Sequence, residues 1–177
     1  MLGDADPSVD AEVIELAWQL IITLGLGDVE LLLNSVGDPQ CRPGYVAQLA
    51  SYYSGHIDEL CPDCRNRLTR NPLRLLDCKV ETCHALGDDA PRSADHLCSD
   101  CQDHWDKLQT YLAAMEIPYR VDHRLVRGLD YYTRTVFEVQ PDDGGSQSTI
   151  CGGGRYDGLI QSLGGRDTPG IGFATGM

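Results

Sequence analysis

Seven of the eight cysteines in this 177-residue chain fall between Cys41 and Cys101, and that crowding restricts the fold more than any other feature. Cys61 and Cys64 form CPDC, Cys98 and Cys101 form CSDC, and Cys78 and Cys83 lie between them. A CxxC pair points two thiolates at one ion from a single turn, so two pairs can close a tetrahedral sulfur site, for which softness and geometry favour zinc. Each pair follows a leucine, Leu60 or Leu97, and precedes helix-compatible sequence, where a helix N-terminus stabilises thiolate. The expected ligands are therefore Cys61, Cys64, Cys98 and Cys101. A rival set is Cys61, Cys64, Cys78 and Cys83, with His84 able to replace one sulfur. The competing interpretation is free thiols buried as small apolar groups. Four cysteines leave no open position for water, so any zinc here is structural, a staple for a module too small to hold itself together.

The charge is as uneven as the cysteines. The total is 14 basic against 27 acidic side chains, or −13. Residues 1–40 carry eight acids and no Lys or Arg, whereas residues 42–79 carry Arg42, Arg65, Arg67, Arg70, Arg74 and Lys79 against four acids. Indiscriminate nucleic-acid binding is excluded, because phosphate neutralisation needs clustered cations, but a local basic strip is left open beside the simpler reading of a solvated helix face. The apolar stretch Leu16 to Leu26 is interrupted and falls short of the roughly 20 residues of a membrane span. Without a secretory leader pattern, the thiols are expected in a reducing cytoplasm, where metal is favoured over disulfide.

Apolar residues at Val13, Leu16/Ala17, Leu20 and Leu24 give helical spacing from Asp10, a candidate N-cap, to Gly25. Val29 to Asn34 reads as a buried strand. After Pro43, Tyr45, Leu49, Tyr52 and His56 share a helical side, and Leu97, Cys101, Trp105, Leu108, Leu112 and Met115 mark a second long amphipathic helix. Beyond Pro118 the texture turns β-prone: Tyr119–His123, Thr135–Gln140, Gln147–Cys151 and Gly170–Thr175 are expected strands, the first three neighbouring and antiparallel, with a short helix at Tyr156–Leu163. The implied α+β architecture is an antiparallel sheet with helices, interrupted by a small cysteine-rich helical insertion. Its expected parts are a first core segment 1–41, an insertion 42–116 and a second core segment 117–177.

Three segments carry candidate binding chemistry. In RLVRGLDYYTRTVFE, Arg124 to Glu138, the core anchors Leu125, Val126 and Leu129 would fix Arg127, Asp130, Tyr131 and Tyr132, and a fixed guanidinium can hold carboxylate or phosphate oxygens. A surface salt bridge between Arg127 and Asp130 is the alternative. CGGGRYDG, from Cys151, is expected to place three glycines between a strand and a helix, where backbone without Cβ admits a ligand, or to form only a tight turn. It lacks the Gly-Lys-Ser/Thr ending of a P-loop. PGIGFATG, from Pro169, offers a third stretch of small residues.

In this order, RLVRGLDYYTRTVFE, CGGGRYDGLIQSLGG and PGIGFATGM resemble the histidine-specific signature, the second block and the start of motif 3 of the histidyl-tRNA synthetase family. DAEVIELAWQLIITLGLGDVELLLNSVGD and NPLRLLD extend the resemblance over nearly the whole chain. It implies a class II aminoacyl-tRNA synthetase-like antiparallel sheet with flanking helices and an insertion that approaches the acceptor stem of tRNA(His). It also implies a cytoplasmic homodimer that activates histidine with ATP and Mg to histidyl-adenylate.

Position by position, Arg127 matches the arginine that contacts the α-phosphate and the substrate carboxylate. Tyr132 and Tyr156 match tyrosines of the histidine pocket, with Tyr131 beside them and Arg155 counted in the same binding set. Gly153 and Gly154 match the glycine floor, and Gly170 and Gly172 the strand beneath the nucleotide. Motifs 1 and 2, the end of motif 3 and an anticodon-binding domain are not in the chain, so an internal fragment, inactive alone, is the expectation. A non-catalytic synthetase-like paralogue that binds histidine or a regulatory partner protein is the alternative.

Overall fold

The structure is a computed structural model that describes residues 1–126, 131–142 and 149–176. Helix α1 spans Pro7–Thr23. It starts earlier than the apolar period implies, because the Asp6 side chain accepts the Ser8 N–H at 2.9 Å and Pro7 supplies a fixed first-turn φ. Asp10 is not the cap: it is fully buried one turn inside, on the same face as Ile14, Ala17 and Ile21.

Strand β1, Val29–Ser35, leads to the helices α2 (Arg42–Gly55), α3 (Pro62–Arg70), α4 (Glu81–Asp88) and α5 (Ser99–Ala114). Then follow β2 (Arg120–Val121), β3 (Thr133–Pro141), β4 (Cys151–Arg155), the single turn α6 (Leu159–Ser162) and β5 (Ile171–Thr175). The sheet order is β2-β1-β3-β4-β5. All pairs are antiparallel except β1 with β2, which run parallel with Leu32 opposite Arg120. The expected adjacency of the 119–123 and 135–140 strands is thus broken by β1. The reason is the long return through α5, which crosses over the sheet and brings β2 back in the direction of β1, as parallel pairing requires.

Strand alternation gives the sheet two working faces. Leu31, Leu33, Phe137 and Val139 point toward α1 and α5, where Ile14, Trp105, Leu108 and Leu112 complete the main core. Leu32, Val36, Val136 and Leu125 form a smaller cluster on the other face, and Tyr132 joins it with Tyr156 packed alongside. A separate core holds Tyr45, Leu49, Tyr53, Leu68, Leu75, Cys64, Cys78 and Cys83 between α2, α3 and α4. Tyr53 rather than Tyr52 completes the buried stripe of α2; Tyr52 is half-buried and donates to the Leu86 carbonyl at 2.9 Å. Helix α5, within the segment 42–116, packs Trp105, Leu108 and Leu112 in the sheet core and not in the core around Cys64, Cys78 and Cys83.

Candidate active site

The glycine run does not end a strand; it is the strand. Gly152, Gly153 and Gly154 lie inside β4, with Gly153 opposite Phe137 of β3 and Phe173 of β5. Period-two alternation then divides them. A Cβ on Gly153 would stand 2.6 Å from the Phe137 ring, so this residue faces the core. A Cβ on Gly154 would stand 2.8 Å from the Tyr132 ring, so this position is bare to let Tyr132 lie against β4. Neither a ligand loop between strand and helix nor a tight turn is formed by the glycines, and α6 is one turn long and begins after Gly158, whose φ is +87°.

β5 repeats the arrangement under Tyr156. A Cβ at Gly170 would reach 2.6 Å from that ring, and one at Gly172 would sit 3.1 Å from its hydroxyl. The Tyr156 N–H donates to the Gly170 carbonyl at 2.8 Å, holding the residue at the mouth of the sheet. Tyr131 bridges the other two rings, with its centroid 4.9 Å from Tyr132 and 6.4 Å, edge-on, from Tyr156. Together with Gly152, Gly172, Thr149, Phe173 and Thr175 they line a cleft of about 660 Å³. Flat aromatic walls over a backbone floor suit a small planar polar ligand.

Arg127 lies outside the described residues. Of the same segment, Leu125 is buried beside Tyr132, and its carbonyl accepts from Asn34 Nδ2 at 3.1 Å.

Arg155 does not enter the cleft. Its side chain is fully buried on the helix side, where Nε donates to Asp10 Oδ1 at 3.0 Å and Nη2 makes a second short bond to the same carboxylate. Nη1 reaches the Asp4 carbonyl and Asp157 Oδ1, both at 3.1 Å, and Nη2 the Asp6 carbonyl at 3.3 Å. Asp10 Oδ2 also meets His104 Nε2 at 2.8 Å and accepts from Thr135 Oγ1 at 2.5 Å. Burial opposes ionisation of Asp10, but the bonds from His104 and Arg155 outweigh it and hold the carboxyl below its ordinary 3.8. Burial likewise works against the Arg155 charge, and Asp10 reverses it, leaving Arg155 above its ordinary value. Asp157 closes the network by accepting the Gly170 N–H at 3.0 Å, so the cluster braces β5 and the tyrosine floor from behind. The sequence signal was the helical period itself, which sets Asp10 three residues before Val13 on the apolar stripe and so demands a buried cation.

The cysteines group differently from the expected set. The sulfurs of Cys61, Cys64, Cys78 and Cys83 all lie within 4.8 Å of one another, as do the ligand atoms of Asp38, Cys41, Cys98 and Cys101. Cys61 and Cys64 are thus brought together with Cys78 and Cys83, not with Cys98 and Cys101. In the first group Cys61 caps α3, its sulfur accepting the Cys64 N–H at 3.4 Å, while Cys83 Sγ accepts the Cys61 N–H at 3.2 Å. The Cys64 amide lowers the Cys61 thiol, the largest influence on it, whereas burial pushes Cys64 and Cys83 up. His84 is not a ligand here; it faces Arg124 Nη1 at 3.0 Å. Arg65 and Arg67 of the basic strip bond carbonyls of their own unit: Arg65 donates to the Leu60 and Asp58 carbonyls at 3.0 Å, and Arg67 to the Arg74 carbonyl at 3.1 Å.

Among the described residues no helix is long and apolar enough to cross a membrane. A family model described as histidyl-tRNA synthetase matches residues 64–177. The histidine–tRNA ligase of Dehalococcoides mccartyi is 56% identical over 176 residues, covering 99% of this chain and 42% of that protein. The histidine–tRNA ligase of Symbiobacterium thermophilum is 52% identical over 177 residues, covering 100% of this chain and 41% of that protein. The crystal structure of apo S. aureus histidyl-tRNA synthetase superposes with a TM-score of 0.72 at 39% identity, covering 98% of this chain and 42% of that one. The chain therefore spans about two-fifths of the length of the curated relatives it matches, at 42% and 41%.

Proposed function

Since the chain belongs to the histidyl-tRNA synthetase family, we propose that it forms the histidine pocket and part of the tRNA-facing surface of an enzyme that makes histidyl-tRNA(His). The single observation that carries this reading is the tyrosine cleft over bare backbone: Tyr131, Tyr132 and Tyr156 stand over Gly152, Gly154, Gly170 and Gly172. Aromatic walls suit an imidazole, and tyrosine hydroxyls can both donate to and accept from its two nitrogens. The glycine strands leave room for an adenylate to lie close to backbone.

In this reading ATP, with Mg, is the co-substrate and histidine the nucleophile. Its carboxylate attacks the α-phosphate, pyrophosphate leaves, and the Arg127 guanidinium offsets the charge that builds on the reacting oxygens. The acyl group then passes to tRNA(His), whose acceptor stem meets the segment 42–116 in a homodimeric, cytoplasmic enzyme. Cys61, Cys64, Cys78 and Cys83 hold a structural zinc that staples α3 to α4. Their sulfur donor set fits a closed tetrahedral site, and backbone N–H groups already point at two of the sulfurs.

Histidine-dependent exchange of pyrophosphate into ATP by the whole protein tests the reading. It is expected for histidine alone among the amino acids and lost in Arg127→Ala. Exchange driven equally by another amino acid, or none at all, overturns it.

A further inference from the structure

A second group of ligands is unrelated to the tyrosine cleft. We infer that Asp38, Cys41, Cys98 and Cys101 bind a zinc ion of their own, which clasps the chain where it leaves β1 for α2 and again where it enters α5. The four ligand atoms all lie within 4.8 Å of one another, close to the edge of about 3.8 Å that a tetrahedron with Zn–S bonds near 2.3 Å requires. Free thiols packed as apolar groups gather carbon around them. Here three sulfurs gather around a carboxylate.

The surroundings are built to hold anions. Cys41 sits at the N-cap of α2, a helix of 14 residues, and Cys98 at the N-cap of α5, one of 16. Neither caps its helix with a side-chain hydrogen bond, so both side chains are left for another partner at the positive end of a dipole. The Asp38 N–H donates to Cys41 Sγ at 3.4 Å, and Asp38 Oδ1 accepts from the Gln40 and Cys41 amides at 2.9 and 3.2 Å. Cys41 Sγ also lies 3.5 Å from that oxygen, the thiol contact a metal would replace. Arg134 Nη2 stands 3.9 Å from Asp38 Oδ2 and balances part of the charge that three thiolates and a carboxylate bring to a divalent ion. Gly37 has φ +66°, and a Cβ on it would lie 2.7 Å from Cys41 Sγ, so the turn is shaped around the sulfur. Three sulfurs with one oxygen suit zinc better than an all-oxygen ion such as magnesium.

The position gives the ion a task. Asp38 and Cys41 follow β1, and Cys98 and Cys101 open the helix that returns to the sheet core. Everything between, including the first cysteine group, leaves and rejoins the sheet here, and is held to it further by Ser93 Oγ on Asn34 Oδ1 and by His123 Nε2 on the Gly87 carbonyl. Zinc in the first group sets the internal shape of α3 and α4; zinc at the root sets how that whole unit is carried.

Native mass spectrometry of the full chain, expressed with zinc and kept reduced, distinguishes the sites. Two zinc ions per chain are expected, with one lost in Cys98→Ser/Cys101→Ser and the other in Cys61→Ser/Cys64→Ser. A single ion that survives the first double substitution and vanishes in the second overturns the root site and leaves the first standing. Metal-free protein overturns both, and a Cys98–Cys101 disulfide, seen as the loss of two hydrogens, overturns the root site. Should the Cys98→Ser/Cys101→Ser protein not fold, Asp38→Asn keeps the oxygen that the Gln40 and Cys41 amides need. It is expected to release one zinc to a chromogenic chelator about tenfold faster or more, the other unchanged. Equal release from wild type and Asp38→Asn overturns the site.

Discussion

Arg155 and Asp10, fully buried and far apart in the chain, share three hydrogen bonds that tie the first helix to strand β4. Removing one partner strands the other as an uncompensated interior charge. Asp10→Asn is expected to lower stability by about 3–5 kcal/mol in urea unfolding, with His104 and Thr135 also losing their acceptor. Replacing both partners, as Asp10→Leu/Arg155→Met, should recover a large part of that loss. A single substitution costing under about 1 kcal/mol would mean that water reaches the pair.

The same carboxylate sets a pH dependence. Its folded pKa lies below the ordinary 3.8, so the unfolded chain binds the proton more tightly. The stabilisation is fully present above the unfolded value and is lost as pH falls through the folded one. Wild type should therefore lose stability below about pH 4, and Asp10→Asn should lose less over that window. Unfolding midpoints at neutral and acid pH check it; parallel curves for the two proteins would remove Asp10 as the source.

How far these features could be read in advance depends on where their information lies. α1, α5, β1 and β3 follow from local apolar spacing, because each buries one stripe or alternate residues, and structure places them within a few positions of expectation. The division of cysteines is not local. CxxC spacing fixes which two thiols share a turn but says nothing of which distant pair they meet, and here Cys78 and Cys83 arrive through the loop after the 3-10 turn Pro72–Leu75 and through α4. Arg155, next to Tyr156 in the sequence, is expected in the pocket. Strand alternation turns it, as the last residue of β4, to the face opposite Gly154, and only the burial of Asp10 on the stripe of α1 hints at its destination.

The glycines of β4 and β5 should differ in tolerance to alanine in an order set by what the new methyl meets. At Gly153 it would lie 2.4 Å from the Gly172 carbonyl oxygen, and at Gly154 2.6 Å from that of Thr135; backbone in a sheet centre cannot yield. At Gly170 the nearest atoms belong to the Tyr156 ring and the Leu2 side chain, which can move. Gly153→Ala and Gly154→Ala are expected to cost about 1–3 kcal/mol or more, as overpacking does. Gly170→Ala should cost less stability but displace Tyr156, raising KM for histidine in the whole protein. Unfolding midpoints set beside pyrophosphate-exchange kinetics separate the two effects. If Gly170→Ala left KM unchanged, Tyr156 would not be a wall of the pocket.

Loss of the zinc proposed for Cys61, Cys64, Cys78 and Cys83 should melt one core and spare the other. The cysteine core places Cys64, Cys78 and Cys83 among Tyr53, Leu68 and Leu75, while the sheet core contains none of these residues. With the sulfurs protonated and no ion to draw them together, α3, of nine residues, and α4, of eight, are too short to persist by propensity alone. In Cys61→Ser/Cys64→Ser, hydrogen exchange is expected to rise in α3 and α4, with amides of α1, β1 and β3 staying protected. Arg65 and Arg67 clamp carbonyls of this unit, so Arg65→Ala should accelerate exchange in α3 by the same route before any effect on RNA is measured. Uniform loss of protection across both cores would show that they unfold as one unit, and unchanged exchange in α3 and α4 would show that the sulfurs hold no metal that matters to the fold.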